Sequence, residues 1–405
     1  MSDTLEQPAV HAGNAIRTCP ACRHGTMTVF HQVTRTPTNS CILWETPEEA
    51  KAAGTGEVKL GFCDSCGFIC NTAFRPEIVE YSARYEETQG FSGTFNAFHH
   101  ALATRLIEKH DLHGKTVLEI GCGKGEFLML LSELGGNRGI GIDPGVRPER
   151  LTGEAAKRVT LIPDFYSEKY SDLDVDFVAC KMTLEHIIEP FDFVSKVRKG
   201  LGHRTETAVF FQIPETLRIL RECAFEDIYY EHCSYFTPGS LSRLFAAAGF
   251  RALDLRTEYG EQYLTIEAYP NPAGVPQTEP PTADLEELRE LVGSFPARMA
   301  AKMQTWRERL EAWRREGKRV VIWGSGSKAV SFLTSFGSYG DVSHAVDINP
   351  YRQGAFVPVT AQPIVTPRNL QTIKPDVVIV MNAIYECEIR ESLADMGLTP
   401  EVYSL

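Results

Sequence analysis

The sequence has no apolar run approaching the ~18 residues that a membrane-crossing helix needs, and its first residues, Met1-Ser2-Asp3-Thr4-Leu5-Glu6-Gln7, lack the basic and apolar regions of a secretory signal. It also lacks a stripe of clustered lysine and arginine. With 41 basic against 53 acidic side chains the formal net charge is −12, which argues against a polyanion such as nucleic acid as the main partner. A local basic pocket for a small anionic substrate is still compatible with that charge. No repeat of fixed short period is present, and no low-complexity tract apart from one proline-rich stretch. These absences point to a cytoplasmic protein that works on a small molecule, with no nucleic-acid or membrane partner, and they say nothing of its oligomeric state. What remains is an ordinary globular composition, 43% hydrophobic and 23% charged, spread over 405 residues, too many for one hydrophobic core.

Eleven cysteines in a cytoplasmic chain are expected to stay reduced, so close pairs are weighed first as metal ligands. Cys19-Pro20-Ala21-Cys22 and Cys63-Asp64-Ser65-Cys66 are two C-x-x-C knuckles, each able to direct two thiolates at one tetrahedral ion. Together they make a closed four-cysteine set that suits structural Zn2+ and leaves no position for a substrate. Redox pairing is the other reading, but the strand–helix setting it expects is missing. Cys41 and Cys70 are read as bystanders.

The stretch Val117-Leu118-Glu119-Ile120-Gly121-Cys122-Gly123-Lys124-Gly125 reads as a buried strand that ends in a carboxylate and opens into a glycine turn and a helix start. Glycines at 121, 123 and 125 allow positive φ and close approach of a ligand to the backbone. A second apolar strand ends in Asp143, where a carboxylate can accept both hydroxyls of a ribose. Glu119, Gly121, Gly123, Gly125 and Asp143 resemble the first motifs of class I S-adenosylmethionine (SAM) methyltransferases, which makes SAM the expected cofactor. Asp164 and Phe165, beyond the third strand, are expected at the adenine.

Alternating strands and helices from Val117 to Pro270 indicate a doubly wound α/β sheet, with strands expected at 116–120, 138–142, 158–162, 175–180, 207–213 and 262–268. His186 follows the fourth of these, near the face where such sheets bind ligands. The irregular segment Asp227 to Pro238 carries Tyr229, Tyr230, Glu231 and His232 in succession. A base of pKa near neutrality, a carboxylate and a phenol are what proton removal beside a carbonyl requires.

With these motifs the chain resembles the zinc-containing sugar C-methyltransferases of deoxysugar biosynthesis over nearly its full length. The resemblance implies an α/β protein: a small N-terminal four-cysteine zinc-binding domain at 1–75, a central Rossmann-like SAM methyltransferase domain at 76–270, a proline-rich linker with amphipathic helices at 271–317, and a second Rossmann-like domain at 318–405. It implies methylation of the carbon next to the ketone of a nucleotide-linked 4-keto sugar. In that scheme His232 removes the proton, Glu231 orients its ring, and Tyr229 and His186 steady the enolate oxygen. A tyrosine from the loop before the core joins them, with Tyr85 favoured over Tyr81. O- or N-methylation of another small molecule, or a non-catalytic scaffold, are the alternatives.

Pro270 to Pro281 marks the linker. Gly293 and Pro296 are expected to split the amphipathic pattern that follows into two helices. Gly324-Ser325-Gly326-Ser327-Lys328-Ala329 then follows a strand, with Asp347 ending the next, a pattern on which a dinucleotide could bind. Lys328 and Asn382 are candidates for substrate contact, in stretches that depart from the family's usual residues.

Overall fold

The computed structural model describes residues 17–277, 280–337 and 342–405; the polar start read at residues 1–16 lies outside them. Three sheets organise the chain. The largest has seven strands in the order Phe250–Glu258, Tyr263–Pro270, Ala208–Pro214, Phe177–Lys181, Thr116–Ile120, Arg138–Ile142, Val159–Ile162. The first two run antiparallel to their neighbours and the rest are parallel. Alternate residues of the central strands face opposite layers. Val117, Phe177 and Phe210 pack on helices Gly93–His110 and Glu126–Gly135, whereas Leu118, Val178 and Val209 pack with helices Pro190–Leu201 and Pro238–Ala247. Burial on both faces is why these strands read as continuous apolar runs. Phe250–Glu258 is an addition to the expected strands: only Phe250 of this edge strand is buried, so its sequence carries no core signal.

The second nucleotide-type sheet has five parallel strands in the order Ile364–Val365, Val342–Val346, Val320–Trp323, Val377–Val380, Glu401–Ser404. Its outermost strands are too short or too polar to show in the sequence.

The N-terminal sheet is antiparallel and joins Met27–Pro37, Thr55–Cys63 and Ile69–Asn71 to a fourth strand from far along the chain, Ser234–Tyr235. That pairing places the residues just before it, Tyr229 to Cys233, against the cysteine-bearing module.

The expected break at Gly293 and Pro296 is corrected. Asp284–Arg315 is one helix of 32 residues with Pro296 inside it. Both breakers lie on the exposed side, where water can serve the carbonyl that Pro296 leaves unpaired. The opposite stripe, Leu288, Val292, Phe295, Met299, Trp306 and Leu310, is buried in one core that also holds Ile219, Leu220 and Phe332. The helix thus docks within the chain. Among the described residues no helix is long and apolar enough to cross a membrane.

Candidate active site

A cavity of about 1060 Å³ lies at the carboxyl ends of the seven-stranded sheet and extends to the loop after Val320–Trp323. Gly121, Gly123 and Gly125 line or support its floor with φ of +67°, +53° and +82°. A Cβ on Gly121 would stand 2.0 Å from Thr183 Oγ1, and one on Gly123 2.6 Å from Glu87 Oε1. Asp143 closes the loop, accepting from Gly123 N at 3.1 Å and Gly145 N at 2.6 Å, while burial raises its carboxyl against those bonds. Glu119 is buried with Oε2 unpartnered; burial pushes it up to about 8, opposed by the Lys181 charge. A glycine cradle with an orphaned carboxylate oxygen fits SAM, whose amino-acid end brings a cation. Asp164 and Phe165 sit at the rim, where Asp164 is held by Tyr170 and Lys169.

The segment from Tyr81 to Gln89 lies across this floor. Lys124 Nζ donates to Tyr85 O and Gly145 O, both at 2.8 Å, and Arg147 donates to Ala83 O. Glu86 ties the segment to both sheets through Arg150 at 2.9 Å and Asn349 at 3.1 Å.

Tyr229, His186 and His232 meet on one wall of the same cavity. Tyr229 Oη and His232 Nε2 are 2.8 Å apart, and the His186 and His232 rings meet edge to face at 4.9 Å. His186 Nδ1 lies 2.9 Å from Tyr81 Oη and 3.0 Å from Glu231 O. Burial holds His232 well below the ordinary imidazole value, helped by the neighbouring His186 and Lys328, and holds His186 down at about 4. Both rings are therefore neutral at neutral pH, the form in which imidazole accepts a proton.

Two expectations are corrected by these contacts. Glu231 does not orient His232; it accepts from Ser40 N at 2.9 Å and from Ser40 Oγ, which in turn lies 2.7 Å from Ser327 Oγ. The reason is local geometry: Tyr230 and Glu231 form a turn that carries the carboxylate away from the His232 ring and toward Ser40. Burial pushes Glu231 up to about 7 against the bonds from Ser40 and Tyr85. Of the two loop tyrosines, Tyr81 reaches the histidine pair and Tyr85 faces Glu231.

Cys19, Cys22, Cys63 and Cys66 bring their sulfur atoms within 4.8 Å of one another. Gly25 N donates to Cys22 Sγ at 3.3 Å, and a Cβ on Gly25 would stand 2.3 Å from Cys63 Sγ. Four converging thiols with a backbone donor fit a tetrahedral ion. The knuckle Cys63–Gly67 joins the two strands that lead to Ser234–Tyr235, and Asn71 N donates to Cys233 O at 2.8 Å.

Lys328 and Asn382 line the cavity but are already engaged. Lys328 Nζ is 2.6 Å from both oxygens of Asp227, and Asn382 exchanges bonds with Gln262 at 2.8 and 3.0 Å. Sequence reasoning passes over Ser40, which carries no motif, and reads Ser327 only as part of the second glycine loop. It also passes over Glu185, although that residue stands beside His186 in Leu184-Glu185-His186-Ile187.

A family model described as "Methyltransferase domain" matches residues 95–255, and one described as "C-methyltransferase C-terminal domain" matches residues 281–398. The C-methyltransferase NovU of Streptomyces niveus is 26% identical over 295 residues, covering 68% of this chain and 68% of that protein. The ribosomal protein L11 methyltransferase of Pectobacterium carotovorum is 29% identical over 107 residues, and the match spans 36% of its length. Among solved structures, magnesium protoporphyrin IX methyltransferase from Synechocystis with bound SAH shares 16% identity at a TM-score of 0.34, covering 44% of this chain and 84% of that one. That likeness is too partial to carry an argument.

Proposed function

Because the chain belongs to the SAM-dependent C-methyltransferases, we propose that it methylates the carbon next to a ketone, in a nucleotide-linked 4-keto sugar, with His232 as the base. The observation that carries this reading is the neutral, buried His232 bonded to Tyr229 on the wall of the cavity that the glycine loop floors. Methyl transfer to oxygen or nitrogen needs no such group as strictly as transfer to carbon does, because only carbon must first be freed of a proton.

Gly121, Gly123 and Asp143 would hold SAM, which when bound supplies an electrophilic methyl group. His232 takes the α proton of the ketone. Tyr229 Oη, 2.8 Å from Nε2, fixes the ring, and its bond to that nitrogen gives way as Nε2 takes the proton. His186 packs edge-on against the ring and is itself held by Tyr81 and the Glu231 carbonyl. Cys19, Cys22, Cys63 and Cys66 would hold Zn2+, which would serve a structural role by stiffening the sheet edge on which the segment from Tyr229 to Cys233 hangs.

The test is incubation of nucleotide-linked 4-keto sugars with methyl-labelled SAM, read by mass spectrometry, and exchange of their α protons in D2O without SAM. His232→Ala is expected to lower both by about 10²–10⁴-fold. Methylation with no α-proton exchange, retained in the variant, would sink the reading. Stripping the cysteines with a chelator is expected to abolish turnover and leave SAM affinity within about threefold, because the glycine loop belongs to another sheet.

A further inference from the structure

Glu185 is 1% exposed, lines the cavity, and has neither carboxyl oxygen hydrogen-bonded. A buried acid with no donor facing it is costly as an anion. Its place is fixed by backbone. Cys233 N donates to Glu185 O at 2.9 Å and Ser234 Oγ to Ile187 O at 2.6 Å, lacing the segment of Glu185 to that of His232. Oε1 thereby stands 4.0 Å from His232 Nε2. This gap is too wide for a hydrogen bond. It suits two groups that serve neighbouring atoms of one substrate, a base for the α hydrogen and a donor for the carbonyl oxygen. Of the donors that the family resemblance suggests for that oxygen, His186 is engaged by Tyr81 and the Glu231 carbonyl, and Tyr229 is held against His232 Nε2.

We propose that Glu185, as a neutral carboxylic acid, donates the hydrogen bond that stabilises the enolate oxygen while His232 takes the neighbouring proton. The proposal rests on the reading of His232 as base. In this step the C–H electron pair becomes the carbon–carbon double bond of the enolate, and the carbonyl π pair moves to oxygen. The proton goes to the imidazole, and Glu185 shares its own proton without losing it. An acid kept neutral by an apolar setting is a known device for this task.

Burial pushes Glu185 up to about 8, so it keeps its proton at neutral pH. The titratable groups facing it are His186 and His232, Tyr81, Tyr229 and Tyr263, and Cys180 and Cys233. Burial lowers both histidines, and it raises all three tyrosines and both cysteines. Of this set, Glu185 alone changes charge near pH 8. Glu231, pushed up to about 7, gives a separate and lower limb that substitution of Glu185 leaves in place.

The experiment follows kcat, KM for SAM and α-proton exchange from about pH 6 to 10 for the wild type, Glu185→Gln and Glu185→Ala, with SAM binding as the check on folding. Glu185→Ala is expected to lower kcat and exchange about 10²–10³-fold, the loss seen when one oxyanion donor is removed, with KM for SAM within about twofold. Glu185→Gln keeps a neutral donor, so it recovers part of that loss and lacks the wild-type fall in kcat above about pH 8. Difference infrared spectra of the free protein at neutral pH should show a protonated carboxyl band that Glu185→Gln removes, a readout independent of substrate. The proposal is overturned by absence of that band, by unchanged kcat in Glu185→Ala, or by turnover that depends on added Mg2+ or Mn2+. Loss of exchange in His232→Ala but not in Glu185→Ala removes the proposal and leaves the base in place. Retention in His232→Ala removes the base itself.

Discussion

The loop after Thr116–Ile120 and the loop after Val320–Trp323 are closed by the same device. In each, the acid that ends the next strand accepts from a backbone N–H of the glycine loop and from the N–H two residues beyond itself: Asp143 from Gly123 and Gly145, Asp347 from Ser325 and Asn349. What differs is the filling. The first loop has three positive-φ glycines, of which Gly121 and Gly123 line the open cavity. In the second only Gly324 has positive φ, and buried Arg352 reaches in to bond Ser325 O at 3.1 Å. The cation of that second loop, Lys328, is spent on Asp227, which Arg218 also holds. The same backbone wiring therefore leaves a receptor in one place and a joint between segments of the chain in the other, and the side chains from outside the motif make the difference.

The strongest way to test this contrast is Asp227→Asn, which strips the anion from two cations that are each largely buried. The variant is expected to lose about 3–5 kcal/mol of stability, read as a fall in denaturant midpoint, with SAM affinity within about twofold. A large loss of SAM affinity at unchanged stability would mean that the second loop also serves the cofactor.

Next come paired glycine substitutions. Gly121→Ala puts a Cβ 2.0 Å from Thr183 Oγ1 at a φ of +67°, whereas the nearest atom to a Cβ on Gly326 is Arg352 Nη2 at 3.9 Å. By calorimetry, SAM should bind about 10²-fold more weakly to the first variant and unchanged to the second. Equal losses would break the comparison.

The smallest effect is one of pH. Glu119 lies under the first loop, its folded value pushed from 4.5 up to about 8. Between those values the folded chain holds a proton that the unfolded chain has released, so stability falls as pH rises through the window. His186 and His232, whose folded values are lowered, act in the opposite sense only below their ordinary 6.5, and Lys181, lowered to about 8, acts only above that. Denaturation curves from pH 6.5 to about 8 should therefore slope downward, and Glu119→Gln should flatten the slope. An unchanged slope would assign it to Glu185 and Glu231, which shift in the same direction.

The features legible in the chain are those that a few consecutive residues decide. Strands 116–120 and 138–142 read correctly to the residue because a strand buried on both faces must be apolar throughout. The glycine loop, the acid at Asp143 and the two C-x-x-C knuckles read for the same reason: spacing along the chain sets the distance between their atoms. The histidines are placed on the cavity by their positions at strand ends, but their partners are not.

Those partners come from elsewhere in the sequence. Ser40 meets Glu231 across 191 residues of sequence and Ser327 across 287. Ser234–Tyr235 completes the cysteine module's sheet, Pro296 lies on the exposed side of its helix, and Glu185 is left with both carboxyl oxygens unpartnered. Local spacing by itself determined the fold class, the cofactor loop and the cysteine cluster. Only the tertiary structure decided which carboxyl faces His232, because burial and pairing are set by contacts between segments that no short stretch of sequence contains.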